Sequence, residues 1–170
     1  MKIEKKLLLT PKNARPSFNS WEVKGIFNPA AVRLPNKKIL LYVRIAERQL
    51  HKNVKELSCP IIISKKHYKY HSQNIKESQI LRRENNIIIL KDGTCRLPTI
   101  SHFRKVVLDE SGFEVEKIEQ YPAFTGMPNE SEYGVEDPRI TLINNIYYMT
   151  YVGISLNEGI STYLALSKNL

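Results

Sequence analysis

Asn144-Asn145 stands between two runs of β-branched and aromatic residues, 140–143 and 146–152. A two-residue Asn-Asn link accepts positive φ at both positions, so it closes a tight antiparallel hairpin and breaks a helix. The same grammar recurs along the chain. Residues 38–44 follow the turn Pro35-Asn36-Lys37, residues 60–64 form a second run, and 86–90 a third, closed by Lys91-Asp92-Gly93. Residues 103–109 turn at Glu110-Ser111-Gly112 into 113–116, and 162–167 make a last strand. Helical candidates are confined to 54–57 and 73–83, neither with a clean 3.6-residue period. The expected fold class is all-β, with short strands that suit a sandwich, a barrel or a propeller. No strict repeat of blade length decides among the three.

Composition narrows the setting. A chain of 170 residues holds one domain with a sizeable core, and 42% hydrophobic with 25% charged residues fits a soluble globular protein. Only Leu7, Leu8 and Leu9 run together before Thr10 and Pro11, too few for a signal-peptide core or a membrane span. The cytoplasm is the expected address, with no membrane partner. Cys59 and Cys95 are too few for a disulfide framework and lack CxxC spacing, so both are expected as reduced thiols.

A net charge of +9 raises nucleic-acid binding as a reading. Lys65, Lys66, His67, Lys69, His71, Lys76, Arg82 and Arg83 cluster around Tyr68 and Tyr70. Such residues could track phosphates and stack on bases. The stretch alternates with ordinary polar residues and carries no binding motif, and a solvated lysine-rich surface accounts for it at least as well. His51, His67 and His71 have no partner at ligand spacing, so no metal is expected. Without a Gly-rich phosphate loop or a GxSxG elbow, nucleotide-binding and serine-hydrolase readings fall away.

The chemistry concentrates in residues 133–139, Tyr-Gly-Val-Glu-Asp-Pro-Arg, which feed the Asn-Asn hairpin. Asp137 reads either as a catalytic acid or as a turn aspartate capping amides before Pro138. In extended backbone Glu136 points to the opposite face, which argues against a paired-carboxylate site and leaves it as pocket wall or salt-bridge partner. Arg139, two residues beyond Asp137, shares its face and either holds that carboxylate or anchors the turn. Asn28 in Phe-Asn-Pro-Ala suits a sugar's vicinal hydroxyls, or an Asx turn ahead of Pro29. Arg44, at a strand end, offers a fork for hydroxyls or a carboxylate, or is a surface cation. His102 and Arg104 flank Phe103 on one face, lining a sugar or phosphate region or forming a solvated strand face. Tyr147, Tyr148 and Tyr151 read as cross-strand packing rather than sugar platforms.

Four segments, in order, carry a resemblance. They are Gly25-Ile-Phe-Asn-Pro-Ala-Ala-Val32, Leu40-Leu-Tyr-Val-Arg44, Arg96-Leu-Pro-Thr-Ile-Ser-His-Phe-Arg104, and Tyr133 to Arg139 with its hairpin and Leu164-Ala-Leu-Ser167. Together they resemble glycoside hydrolase family 130, the mannoside phosphorylases and mannosidases, over roughly the first half of a typical member. The resemblance implies a five-bladed β-propeller, present here as a single partial domain over 1–170. It implies inverting phosphorolysis of a β-mannoside such as a manno-oligosaccharide, giving mannose 1-phosphate, with inorganic phosphate as co-substrate and no cofactor. Asp137 would be the single acid, working through a sugar hydroxyl, while Asn28 and Arg44 would face the sugar beside the cleaved bond. The family's phosphate-gripping residues lie largely in later blades. A second chain or a homo-oligomer would then complete the ring, or this chain alone is inactive. The hydrolytic β-mannosidase branch and a non-catalytic carbohydrate-binding remnant remain alternatives. Residues 47–91 depart from the family pattern, being long and lysine-rich.

Overall fold

The computed structural model describes residues 3–50, 56–64 and 69–170. Among the described residues twelve strands carry the fold: Trp21–Arg33 (β1), Ile39–Gln49 (β2), Glu56–Ser64 (β3), Lys69–Lys76 (β4), Ile80–Glu84 (β5), Ile87–Leu90 (β6), Cys95–Arg96 (β7), Ile100–Leu108 (β8), Val115–Ile118 (β9), Val135–Ile143 (β10), Ile146–Ser155 (β11) and Gly159–Ser167 (β12). The described helical structure is limited to the single 3-10 turns Pro11–Asn13 and Glu77–Gln79. The all-β expectation holds. The helical candidate over 73–83 does not: β4 and β5 occupy it, joined by the 3-10 turn, because Ile75 packs opposite Leu57 of β3. Of the other candidate, Glu56 and Leu57 begin β3, while Val54 lies outside the described residues.

The strands form four antiparallel sheets, β1-β2-β8-β9, β3-β4, β5-β6-β7 and β10-β11-β12. Among the described residues no sheet closes on itself. The hairpin between β10 and β11 turns at Asn144 and Asn145, with φ of 49° and 63°, the left-handed pair that matches the twist of the flanking strands. The longest strand, β1, was not legible as one. Gly25 and Pro29 break its pattern, and the structure accommodates both with register shifts, one between Val23 and Gly25 and one between Phe27 and Pro29.

Two layers bury the centre. Ala30, Leu40, Tyr42 and Phe103 of the β1-β2-β8-β9 sheet meet Val135, Met149 and Tyr151 of the β10-β11-β12 sheet. Tyr151 stacks on Tyr163 with ring centroids 5.5 Å apart and meets Phe124 edge-on at 4.9 Å, so it is a packing residue. On the opposite face of the larger sheet, Leu41, Val43, Ile45, Val106 and Leu108 are covered by Ala14, Leu8 and Leu9 from the N-terminal segment.

Asp109 organises the turn between β8 and β9. Its carboxylate accepts the backbone N–H groups of Gly112, Phe113 and Glu114 at 3.0–3.1 Å and the Ser111 hydroxyl at 2.7 Å. The Ser111 hydroxyl and these amides hold its carboxyl down to about 2, from an ordinary 3.8. A lowered folded-state value contributes stability that is present above pH 3.8 and is lost as pH falls toward about 2. Thermal melts of Asp109→Asn are therefore expected to fall less steeply over that window than those of the parent. Parallel curves would show that the turn does not carry this dependence.

The basic stretch is only partly described, since Lys65, Lys66, His67 and Tyr68, like His51, lie outside the described residues. Within it, Arg82 sits 2.9 Å from Glu84, and Arg83 sits 2.6 Å from Glu77. Local carboxylates thus offset two of its cations, which weakens the nucleic-acid reading. Cys59 and Cys95 are both free, and burial pushes the Cys59 thiol up to about 11. Among the described residues no helix is long and apolar enough to cross a membrane.

Candidate active site

Two β-bulges on different strands build the site. On β1, Asn28 falls between Phe27, opposite Arg44, and Pro29, opposite Val43, so it has no partner of its own in the ladder. On β10, Asp137 and Pro138 fall between Glu136, opposite Val152, and Arg139, opposite Thr150. A bulge takes a residue out of strict alternation and re-aims its side chain. Here the two re-aimed side chains meet: Asn28 Nδ2 donates to Asp137 Oδ1 at 3.0 Å. Asp137 holds φ at 50°, a left-handed backbone uncommon for a residue with a side chain. Such positions persist where surrounding structure over-determines them, and they cluster at functional sites.

Arg44 projects from β2 between the two acidic neighbours. Its Nη2 donates to Glu136 Oε1, Nη1 lies 3.9 Å from Asp137 Oδ1, and Nε donates to Ser101 Oγ at 3.2 Å. The Phe27 ring covers its guanidinium, with the centroid 4.9 Å from Cζ. Glycines allow two of these approaches. A Cβ on Gly25 would fall 2.3 Å from the Phe27 ring, and one on Gly134, whose φ is +110°, would fall 2.6 Å from the Ser101 carbonyl oxygen. Burial, assisted by Asp137, raises the Glu136 carboxyl above the ordinary range even though Arg44 opposes the shift.

The expectation that Glu136 and Asp137 point apart is overturned. One guanidinium reaches both carboxylates, because the bulge breaks the alternation on which that expectation rested. Arg139 is exposed, donates to the Pro138 carbonyl at 3.0 Å and forms no ion pair with Asp137 among the described residues.

His102 and Arg104 are a further correction. Both side chains are fully buried, so they form no solvated strand face and present no surface to a ligand. Register decides this: Arg44 lies opposite Phe103, so the residues flanking Phe103 point to the other side of the sheet. There Arg104 pairs with buried Glu47 at 2.7 Å, donates to His102 Nε2 at 3.0 Å, and reaches the Arg15 carbonyl at 2.7 Å and Ser17 Oγ at 2.8 Å. Burial, with Arg104 alongside, holds His102 well below its ordinary value. The network ties the N-terminal segment to the sheet.

Sequence reasoning missed Phe27, Ser101 and Tyr133. Phe27 lies inside the Phe-Asn-Pro-Ala motif, and Tyr133 opens the Glu-Asp-Pro-Arg block, so a signal existed for both. Ser101 had none, since only the β2–β8 register places it next to Arg44. Arg44, Ser101, Tyr133 and Glu136 line a cavity of about 540 Å³. Asn28 and Asp137 stand outside its lining, with the Asp137 side chain half exposed. The arrangement presents a carboxylate beside an amide and a guanidinium at a pocket rim. That set can hold sugar hydroxyls and move a proton.

No family model matches the chain. Among curated proteins, it is 23% identical over 170 aligned residues to the β-1,2-mannobiose phosphorylase of Listeria innocua serovar 6a (strain ATCC BAA-680 / CLIP 11262), covering 98% of this chain and 47% of that protein. Among solved structures, the Listeria innocua β-1,2-mannobiose phosphorylase in complex with β-1,2-mannobiose superposes with a TM-score of 0.82 at 22% identity, over 95% of this chain and 46% of that one. The likeness to family 130 read from the sequence thus holds: this chain is similar, along nearly its whole length, to part of a family 130 phosphorylase. It spans about half the length of the relative it matches.

Proposed function

We propose that this chain is the acid-bearing, sugar-holding part of a β-mannoside phosphorylase of glycoside hydrolase family 130, built on part of a five-bladed propeller. The observation that carries the reading is the meeting of Asn28, Arg44, Glu136 and Asp137 through two bulges. The Listeria relatives support mannose as the sugar. Asn28 and Arg44 hold hydroxyls of the mannosyl unit, and Asp137, at the rim, supplies the proton. Inorganic phosphate attacks the anomeric carbon from the face opposite the glycosidic oxygen, and the C–O bond to that oxygen breaks. The departing oxygen takes a proton from a sugar hydroxyl, which Asp137 replenishes, and mannose 1-phosphate leaves with inverted configuration. Glu136 fixes Arg44. Inorganic phosphate is held by residues of the family's later blades, and the expected setting is cytoplasmic.

A second reading, sugar binding without turnover, is favoured by Asp137 standing outside the cavity lining with its side chain half exposed. Calorimetric titration with β-1,2-mannobiose tests what both readings share. Saturable binding is expected, weakened about tenfold or more in Arg44→Ala, the loss of a charge-assisted hydrogen bond. No binding, or binding indifferent to Arg44, would sink both. Release of mannose 1-phosphate on co-expression with the complementary half of a homologous phosphorylase separates the enzyme from the binder.

A further inference from the structure

The 540 Å³ cavity extends from the Arg44–Glu136 pair to the β6–β7 hairpin. Its far wall is apolar, with Ile87, Leu97, Leu156 and Ile160. Arg96 interrupts that wall. Its Nη1 donates to the Cys95 carbonyl at 2.8 Å, and its Nε is buried without an acceptor. Among the described residues Arg96 forms no ion pair, whereas Arg44, the other cation of the cavity, is matched by Glu136. The cavity therefore carries a guanidinium that has no carboxylate at ion-pair distance among the described residues, Asp92 acting on it only through space, and that keeps a buried, unused donor. Leaving such a donor unmet costs free energy that an incoming acceptor recovers.

A guanidinium fork fits a carboxylate in two parallel hydrogen bonds, and the neighbouring walls favour an apolar body. Drug-sized ligands occupy cavities of roughly 300–1,000 Å³. The space here is far larger than inorganic phosphate needs and too apolar to be built for it alone. We propose that this cavity receives the group attached to the mannosyl unit, and that Arg96 selects one that carries a carboxylate on an apolar or aromatic body. The placement beside the sugar rests on the mannoside reading above. The anion selectivity rests on Arg96 alone.

Titration calorimetry on the full chain with four probes tests this: phenyl β-mannoside, 4-carboxyphenyl β-mannoside, benzoate and inorganic phosphate. The carboxylate is expected to tighten mannoside binding by about tenfold or more, the worth of a charge-assisted hydrogen bond. That gain should vanish in Arg96→Gln and return in part in Arg96→Lys, whose retained charge also guards against a folding artefact in the Gln variant. Equal affinity of the two mannosides, or a gain that survives Arg96→Gln, overturns the proposal. So does displacement of the carboxyphenyl compound by inorganic phosphate, which would make Arg96 a phosphate ligand. If benzoate binds in an Arg96-dependent way while neither mannoside binds, the cavity assignment stands and the mannoside reading fails. If the mannosides bind alike and benzoate does not, the reverse holds. Silence from all four probes overturns both.

Discussion

Asp137→Asn is expected to abolish phosphorolysis of a β-mannoside, by roughly 10²- to 10⁴-fold, the contribution of a positioned general acid. The substitution is chosen because it isolates the proton. Asparagine keeps an oxygen where Asp137 Oδ1 accepts from Asn28 at 3.0 Å, so the bulge and the sugar contacts should persist. Asparagine also tolerates the left-handed backbone, φ 50°, better than most residues. Turnover would be followed as mannose 1-phosphate release with the complementary half supplied, and sugar affinity by titration on the chain alone. Loss of turnover with affinity little changed identifies the acid. Loss of both would reduce Asp137 to a ligand of the sugar, and retained turnover would shift the role to Glu136, whose carboxyl burial already pushes up.

The second large effect is on stability. Glu47→Ala is expected to cost about 3–5 kcal/mol, because it strands Arg104 in the interior without its carboxylate. Both side chains are fully buried and lie 2.7 Å apart. The same Glu47 oxygen accepts the Ser17 backbone N–H at 2.8 Å, so the variant also loosens the N-terminal segment from the sheet. For a domain of this size the loss corresponds to roughly 6–20 °C in Tm, readable by calorimetry or circular dichroism. A double change, Glu47→Leu with Arg104→Met, removes both charges and should recover much of the loss, since a buried ion pair is often replaceable by apolar residues of similar volume. A Glu47→Ala variant that melts like the parent would mean that water reaches Arg104.

The strands between 38 and 64, and those from 86 onward apart from β7, were legible because their signals are local. β-branched runs bounded by turn residues declare themselves wherever the chain goes. β1 was hidden because its glycine and proline, read locally, argue against a strand, and only pairing with β2 shows them to be bulges. The candidate helix over 73–83 failed for a related reason: its residues were ambiguous alone, and the apolar partner Leu57 across β3 settled them.

The site divides along the same line. The residue types needed for sugar chemistry, an amide, a guanidinium and two carboxylates, stand in the sequence at Asn28, Arg44, Glu136 and Asp137, and the likeness of their motifs to family 130 follows from sequence alone. Which of the candidate residues meet does not. Strand alternation, applied without register, pointed Glu136 away from Asp137 and set Arg139 beside it, and it left His102 and Arg104 available to a ligand. The tertiary structure brought both carboxylates to one guanidinium and buried His102 and Arg104, and among the described residues it gives Arg139 no ion pair with Asp137. A side chain's face depends on a phase that one inserted residue inverts, and that phase is fixed only when β1 pairs with β2 and β10 with β11 across their bulges. Asn28 and Asp137 stand 109 positions apart, and no local term across that separation could have set it.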